Sequence, residues 1–93
     1  MDKIQEFKLY TQLHEQEYIL PKNSQVLSAR FSNISDMIIV DILVDFDSDE
    51  TINKNFLVFD NESIIDDNMK ADYIGTAVNT KEDKAYYIFE KIR

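Results

Sequence analysis

Met37-Ile38-Ile39-Val40-Asp41-Ile42-Leu43-Val44-Asp45-Phe46 is the stretch that decides the fold class. Ile38, Val40, Ile42, Val44 and Phe46 take every second position, and most are β-branched. Successive side chains of a strand point to opposite faces, so this period builds one apolar face. The alternates Met37, Ile39, Asp41, Leu43 and Asp45 are half apolar and turn acidic toward the end. One face fully apolar and the other half apolar predicts a strand with neighbours on both sides.

Outward from this strand the same period recurs. Val26 to Ser32 alternates Leu27, Ala29 and Phe31 against Val26, Ser28 and Arg30, and Asn55 to Phe59 is a short aromatic strand. Asp47-Ser48-Asp49-Glu50-Thr51 is polar and turn-forming, so residues 37–59 are expected to form a β-hairpin. Tyr73 to Val78 and Ala85 to Lys91 are two further strands, joined by the polar turn 79–84. Ile4 to Tyr10 and Glu17 to Leu20 are weaker candidates, and Pro21 closes the second because it has no N–H to give to a ladder. Gly75 inside a strand marks a bulge or a close backbone approach. Residues 60–71 are the least strand-like. Ser63 to Met69 forms either a helical turn, with Ile64, Ile65 and Met69 inward, or an acidic loop. The prediction is an all-β single domain over 1–93, a small antiparallel β-sandwich or barrel of six or seven strands.

Composition narrows the function classes. The 93 residues carry 18 acids against 10 Lys plus Arg, a formal net charge of −8. An apolar fraction of 44% is too high for a disordered chain. With no Cys there is no disulfide, thiolate nucleophile or Cys-ligated zinc. No apolar run approaches the roughly 18 residues a membrane helix needs. The start, Met1-Asp2-Lys3-Ile4-Gln5-Glu6, carries no signal-peptide core. A cytoplasmic protein is expected.

The charge is concentrated. Residues 36–72 hold eleven acids opposed only by Lys54 and Lys70, a net −9, and the rest of the chain nets +1. Such a field repels nucleic acid and anionic membranes and attracts basic surfaces. Residues i and i+2 of a strand share a face about 7 Å apart. Asp41, Asp45, Asp47 and Asp49 are therefore expected to extend the outer face of the central strand as a row of carboxylates. Such a row resembles a phosphate backbone in charge, which is the physical basis of DNA mimicry. The plain alternative is a solvated acidic surface that keeps a small protein soluble.

Other chemistries are poorly served. Asp45, Asp47 and Asp49 match positions 1, 3 and 5 of an EF-hand loop, but Glu50 stands where its Gly is required and Phe56 where its bidentate Glu is required. No metal or other cofactor is expected. His14 is the single imidazole, one Gly cannot build a phosphate loop, and no carboxylate pair is singled out. No catalytic residue is assigned. Tyr18, Tyr73, Tyr86 and Tyr87 would need a basic groove to stack nucleic acid, and the chain shows none. Tyr86 and Tyr87 point to opposite faces of one strand, so at least one belongs to the core or its rim.

Ile19-Leu20-Pro21-Lys22-Asn23-Ser24-Gln25-Val26-Leu27-Ser28, then Tyr73-Ile74-Gly75-Thr76-Ala77-Val78 and a closing Phe89-Glu90, resemble a family of small uncharacterised phage and prophage proteins. Where that family often has Trp-His near its end, this chain has Tyr86-Tyr87-Ile88. The resemblance implies a phage origin and a small β domain, with no activity to carry over.

Three readings follow. The first is a phage-encoded inhibitor of anti-CRISPR or anti-restriction type, binding a basic surface of a host defence or nucleic-acid-processing protein. Its interface would be Asp41, Asp45, Asp47, Asp49, Glu50, Asp66 and Asp67. The second is a virion assembly unit that uses edge strands and tyrosines, with homo-oligomerisation open. The third is a binder of a small ligand such as a nucleotide signal, which would need a basic pocket near Arg30 or Lys22.

Overall fold

The computed structural model describes residues 1–92. Seven strands run in order: β1 (Asp2–Leu9), β2 (Glu15–Pro21), β3 (Gln25–Ser32), β4 (Met37–Asp45), β5 (Thr51–Phe59), β6 (Ala71–Asn79) and β7 (Lys84–Lys91). They form two antiparallel sheets, β1-β4-β3 and β2-β5-β7-β6, packed as a sandwich. β4 is central in its sheet, as its two-sided apolar pattern predicts. Its Ile38, Val40, Ile42 and Val44 are buried against Phe56, Val58, Tyr86 and Ile88 of the other sheet. Even Ile39, on the outer face, is buried.

The hairpin expected over residues 37–59 does not form. β4 pairs with β1 and β3, whereas β5 pairs with β2 and β7. Residues 46–50 instead carry the chain from one sheet to the other. Alternation fixes which face of a strand is buried but not which strand lies beside it. A five-residue connection suits either route. The true hairpins are β3–β4 and β6–β7, and each turn ends on an Asp with positive φ: Asp36 (56°) and Asp83 (51°). Asp tolerates that region better than most residues.

Two bulges shape the sandwich. In β3 the register shifts between Val26 and Ser28, so Val26 and Ala29 both pack on the core while the intervening Leu27 is exposed. In β6 it shifts between Tyr73 and Gly75. Gly75 is also a close approach. A Cβ there would lie 3.3 Å from the Ala29 backbone nitrogen, so β3 and β6 close one side of the sandwich. The other side is closed by Tyr18, whose ring packs edge-on to Phe7 at 5.0 Å and whose hydroxyl donates to the Lys8 carbonyl at 2.7 Å.

The helical turn considered for residues 63–69 does not form. Asp60 and Asp66 each bend the chain locally, accepting the N–H of Glu62 (3.0 Å) and of Asn68 (2.8 Å). Such side-chain bonds compete with the helix. Ile64, which the helical turn would have placed inward, is 95% exposed, and the segment is the acidic loop of the other alternative.

Candidate functional site: an acidic corner and a groove

The seven acids singled out in the sequence fall in three places. Asp41 lies on the outer face of the three-stranded sheet. It accepts from Ser28 Oγ (3.2 Å) and faces Arg30 Nε (3.4 Å), while Arg30 also pairs with Glu6. That carboxylate is committed to a cross-strand network and is largely covered. It is not free to act as one of a row of open carboxylates.

Asp45, Asp47, Asp49 and Glu50 gather where β4 ends. Asp45 is the last strand residue, and its Oδ1 accepts the Asp47 N–H at 3.0 Å, an Asx turn that rolls the chain toward the other sheet. Period two ends there, so Asp47 and Asp49 leave the strand's outer face. Asp2 stands directly across from Asp45 in the β1–β4 register and adds a further acid. Contacts that hold the corner include the Met1 amino group with Asp47, Lys22 Nζ with Glu50 at 2.9 Å, the Phe46 N–H donating to the Met1 carbonyl at 3.2 Å, the Lys22 N–H donating to the Glu50 carbonyl at 2.8 Å, and Ser24 Oγ accepting the Asp45 N–H at 3.4 Å. Both ion pairs are well exposed, a setting in which such pairs contribute about 0–1 kcal/mol.

Phe46 alters the character of this corner. Period two assigns it to the buried face, but the strand ends one residue earlier and Phe46 is 46% exposed. A half-exposed aromatic residue is thus part of the same short segment as Asp45, Asp47, Asp49 and Glu50. The sequence signal that could have found it is its place immediately before the Asp-Ser-Asp-Glu turn.

Asp66 and Asp67 belong elsewhere, on the loop from β5 to β6. This loop lies over the outer face of the four-stranded sheet and buries Leu57 and Phe59 there, although both point away from the core. Between loop and sheet runs a groove of about 450 Å³. Leu57 and Phe59 form its floor, Ile64, Asp66, Asn68 and Met69 its loop wall, and His14 closes one end with its ring edge-on to Phe59 at 4.7 Å. Lys70 and Lys91 lie together in its lining. The Ile92 N–H donates to the Lys70 carbonyl at 2.9 Å, which fixes the loop end against the end of β7. Beside the groove, Tyr73, Val78 and Tyr87 leave an exposed ledge, with Phe89 edge-on to both Phe59 and Tyr73. Tyr86, on the opposite face, is buried in the core.

Over its whole length, residues 1–93, the chain matches a domain of unknown function, DUF7352. The chain belongs to this family. No curated protein and no solved structure matches it.

The geometry of this DUF7352 chain bears on what its titratable groups can do. Among the described residues, no three His, Asp or Glu side chains are arranged to hold a metal ion. Among them, too, no helix is long and apolar enough to cross a membrane. Asp60 is held below the ordinary aspartate value, first by the Glu62 N–H and then by Ser63 and Lys84. Lys84 is held above its ordinary value by Tyr86, whose ring centroid its Nζ faces at 5.4 Å, and by Asp60 at 3.5 Å. Both groups serve to pin the start of the β5–β6 loop to the start of β7. Arg30 and Lys22, the cations considered for a basic pocket, are each already paired with acids.

Proposed function

We propose that this DUF7352 protein is a non-catalytic binding protein that docks its acidic corner on a basic surface of a protein partner. In the phage setting that the sequence resemblance implies, the partner is a host defence or nucleic-acid-processing enzyme in the bacterial cytosol, and docking inhibits it. The observation that carries this reading is Phe46, half exposed at the end of β4 with Asp45 and Asp47 on either side of it in the chain and Asp49 and Glu50 just beyond. A solvated surface gains nothing from an exposed aromatic ring. An interface gains a desolvated anchor from the ring and, from the acids around it, attraction for a basic partner. The interface is thus compact and centred on residues 45–50. Asp41, Asp66 and Asp67 lie outside it.

The test compares immobilised wild type, Phe46→Ser and the triple variant Asp45→Asn/Asp47→Asn/Asp49→Asn against a bacterial lysate at low and high salt. A basic protein held by wild type at low salt should be lost by both variants, and its association with wild type should slow as salt rises. Retention of the same proteins by all three chains would overturn the reading.

A further inference from the structure

The groove over the four-stranded sheet has a chemistry distinct from the acidic corner. Its floor, Leu57 and Phe59, is buried and apolar, and Ile64 and Met69 continue it up the loop wall. Its volume falls in the range of small-molecule sites. The protein as a whole is at −8, yet this lining balances Glu15 and Asp66 against Lys70 and Lys91. The two acids are partly committed. Asp66 Oδ1 accepts the Asn68 N–H at 2.8 Å, and Glu15 faces Lys91 at 3.7 Å in a half-exposed, loose pair that an incoming anion can replace. Lys70 is exposed and makes no ion pair with another described residue. The Ile92–Lys70 backbone bond and the pairing of Ala71 with Lys91 bring the two lysines to one end of the trough, beyond its apolar floor.

We infer that this groove binds a small amphipathic anion, with an apolar or aromatic body on Leu57 and Phe59 and one negatively charged group between Lys70 and Lys91. The apolar floor supplies the affinity. The lysine pair sets orientation and selects against neutral analogues, because a compact ammonium tolerates carboxylate, sulfonate and phosphate alike. His14 bounds the far end and limits the length of the apolar body. The inference does not depend on the acidic corner, which shares no residue with the groove.

The test is fluorescence titration of the whole protein with two probes, the anionic anilinonaphthalene sulfonate and its neutral analogue N-phenylnaphthylamine. The anion should bind saturably at one site and at least tenfold more tightly than the neutral probe. Lys70→Gln/Lys91→Gln should lower its affinity about tenfold and leave the neutral probe unaffected. Lys3→Gln/Lys81→Gln makes the same change in net charge away from the groove and should leave both probes unaffected. Equal binding of the two probes, no saturable binding of the anion, or the same loss in both double variants would overturn the inference.

Discussion

At the scale of single residues, Asp60 shows how one carboxylate is tied to the fold. It accepts from the Glu62 N–H and from Ser63 Oγ, and it faces Lys84 Nζ, so its charged form is favoured in the native state. A carboxylate whose native pKa is lowered contributes stability that is fully present above its unfolded value, about 3.9, and is lost as pH falls through the lower native value. Asp60→Asn should therefore lower stability near neutral pH. Because Asp60 is only partly buried, the loss should be modest. Below about pH 4 the gap between the two proteins should narrow progressively, as the wild-type carboxyl is protonated as well. Urea unfolding at pH 7, 4 and 2.5 checks this. A gap that persists unchanged at pH 2.5 would show that Asp60 acts through turn geometry alone. Phe46 shows the limit of single-residue reading. Its type and spacing assign it to the core, and only the strand's early end, set by the Asp45–Asp47 turn, brings it to the surface.

At the scale of elements, the bulge and close approach at Gly75 are the most sensitive joint. Its Cβ position lies 3.3 and 3.4 Å from the Ala29 backbone N and O, so a larger side chain must push β6 away from β3. Gly75→Ala needs a shift of a few tenths of an ångström and recovers some strand propensity, so its cost should be small. Gly75→Val should cost about 1–3 kcal/mol by overpacking, and thermal melts should rank wild type near Ala and well above Val. Equal stability of all three would mean that the sheets separate there without cost. The role of Gly75 was legible because a glycine weakens a strand unless a bulge or a close backbone contact requires it. Five of the seven strands were legible too from their patterning, and β1 and β2 only as weaker candidates. Sheet membership was not. The β1–β4, β2–β5 and β5–β7 pairings join segments far apart in sequence, and no local pattern encodes them. The groove stayed hidden for the same reason, because its walls come from residues 14–15, 57–59, 64–70 and 91–92. The acidic corner was visible because its residues are contiguous.

At the scale of the whole molecule, a net charge of −8 on 93 residues sets solubility and long-range attraction, and it opposes compactness. The corner concentrates this conflict. Asp2 lies directly opposite Asp45 on the neighbouring strand, and like charges at such positions are destabilising. Against this stand two exposed pairs, Lys22 with Glu50 and, as the pair that involves one of Asp45, Asp47 and Asp49, the Met1 amino group with Asp47. The two effects oppose each other when the corner is neutralised. Asp45→Asn/Asp47→Asn/Asp49→Asn removes the repulsion and loses the pair. The amide oxygen that replaces the Asp45 carboxylate can still accept the residue-47 N–H and keep the turn. Exposed pairs contribute little, and relief of repulsion extends over the whole field, so repulsion should win. The triple variant should melt a few degrees above wild type in about 20 mM salt, consistent with a gain under about 1 kcal/mol for a domain of this size. The difference should fade by about 0.5 M salt, where the Debye length has fallen to roughly 4 Å and exposed charges no longer act on one another. A triple variant that melts below wild type at low salt would show instead that the Met1–Asp47 pair anchors the end of β1 and that the acids of the corner belong to the fold. The proposed interface would then have to rest on Phe46, Asp49 and Glu50. A variant more stable than wild type yet unable to hold a basic partner would show that these charges are kept at a cost to stability, as expected of an interface.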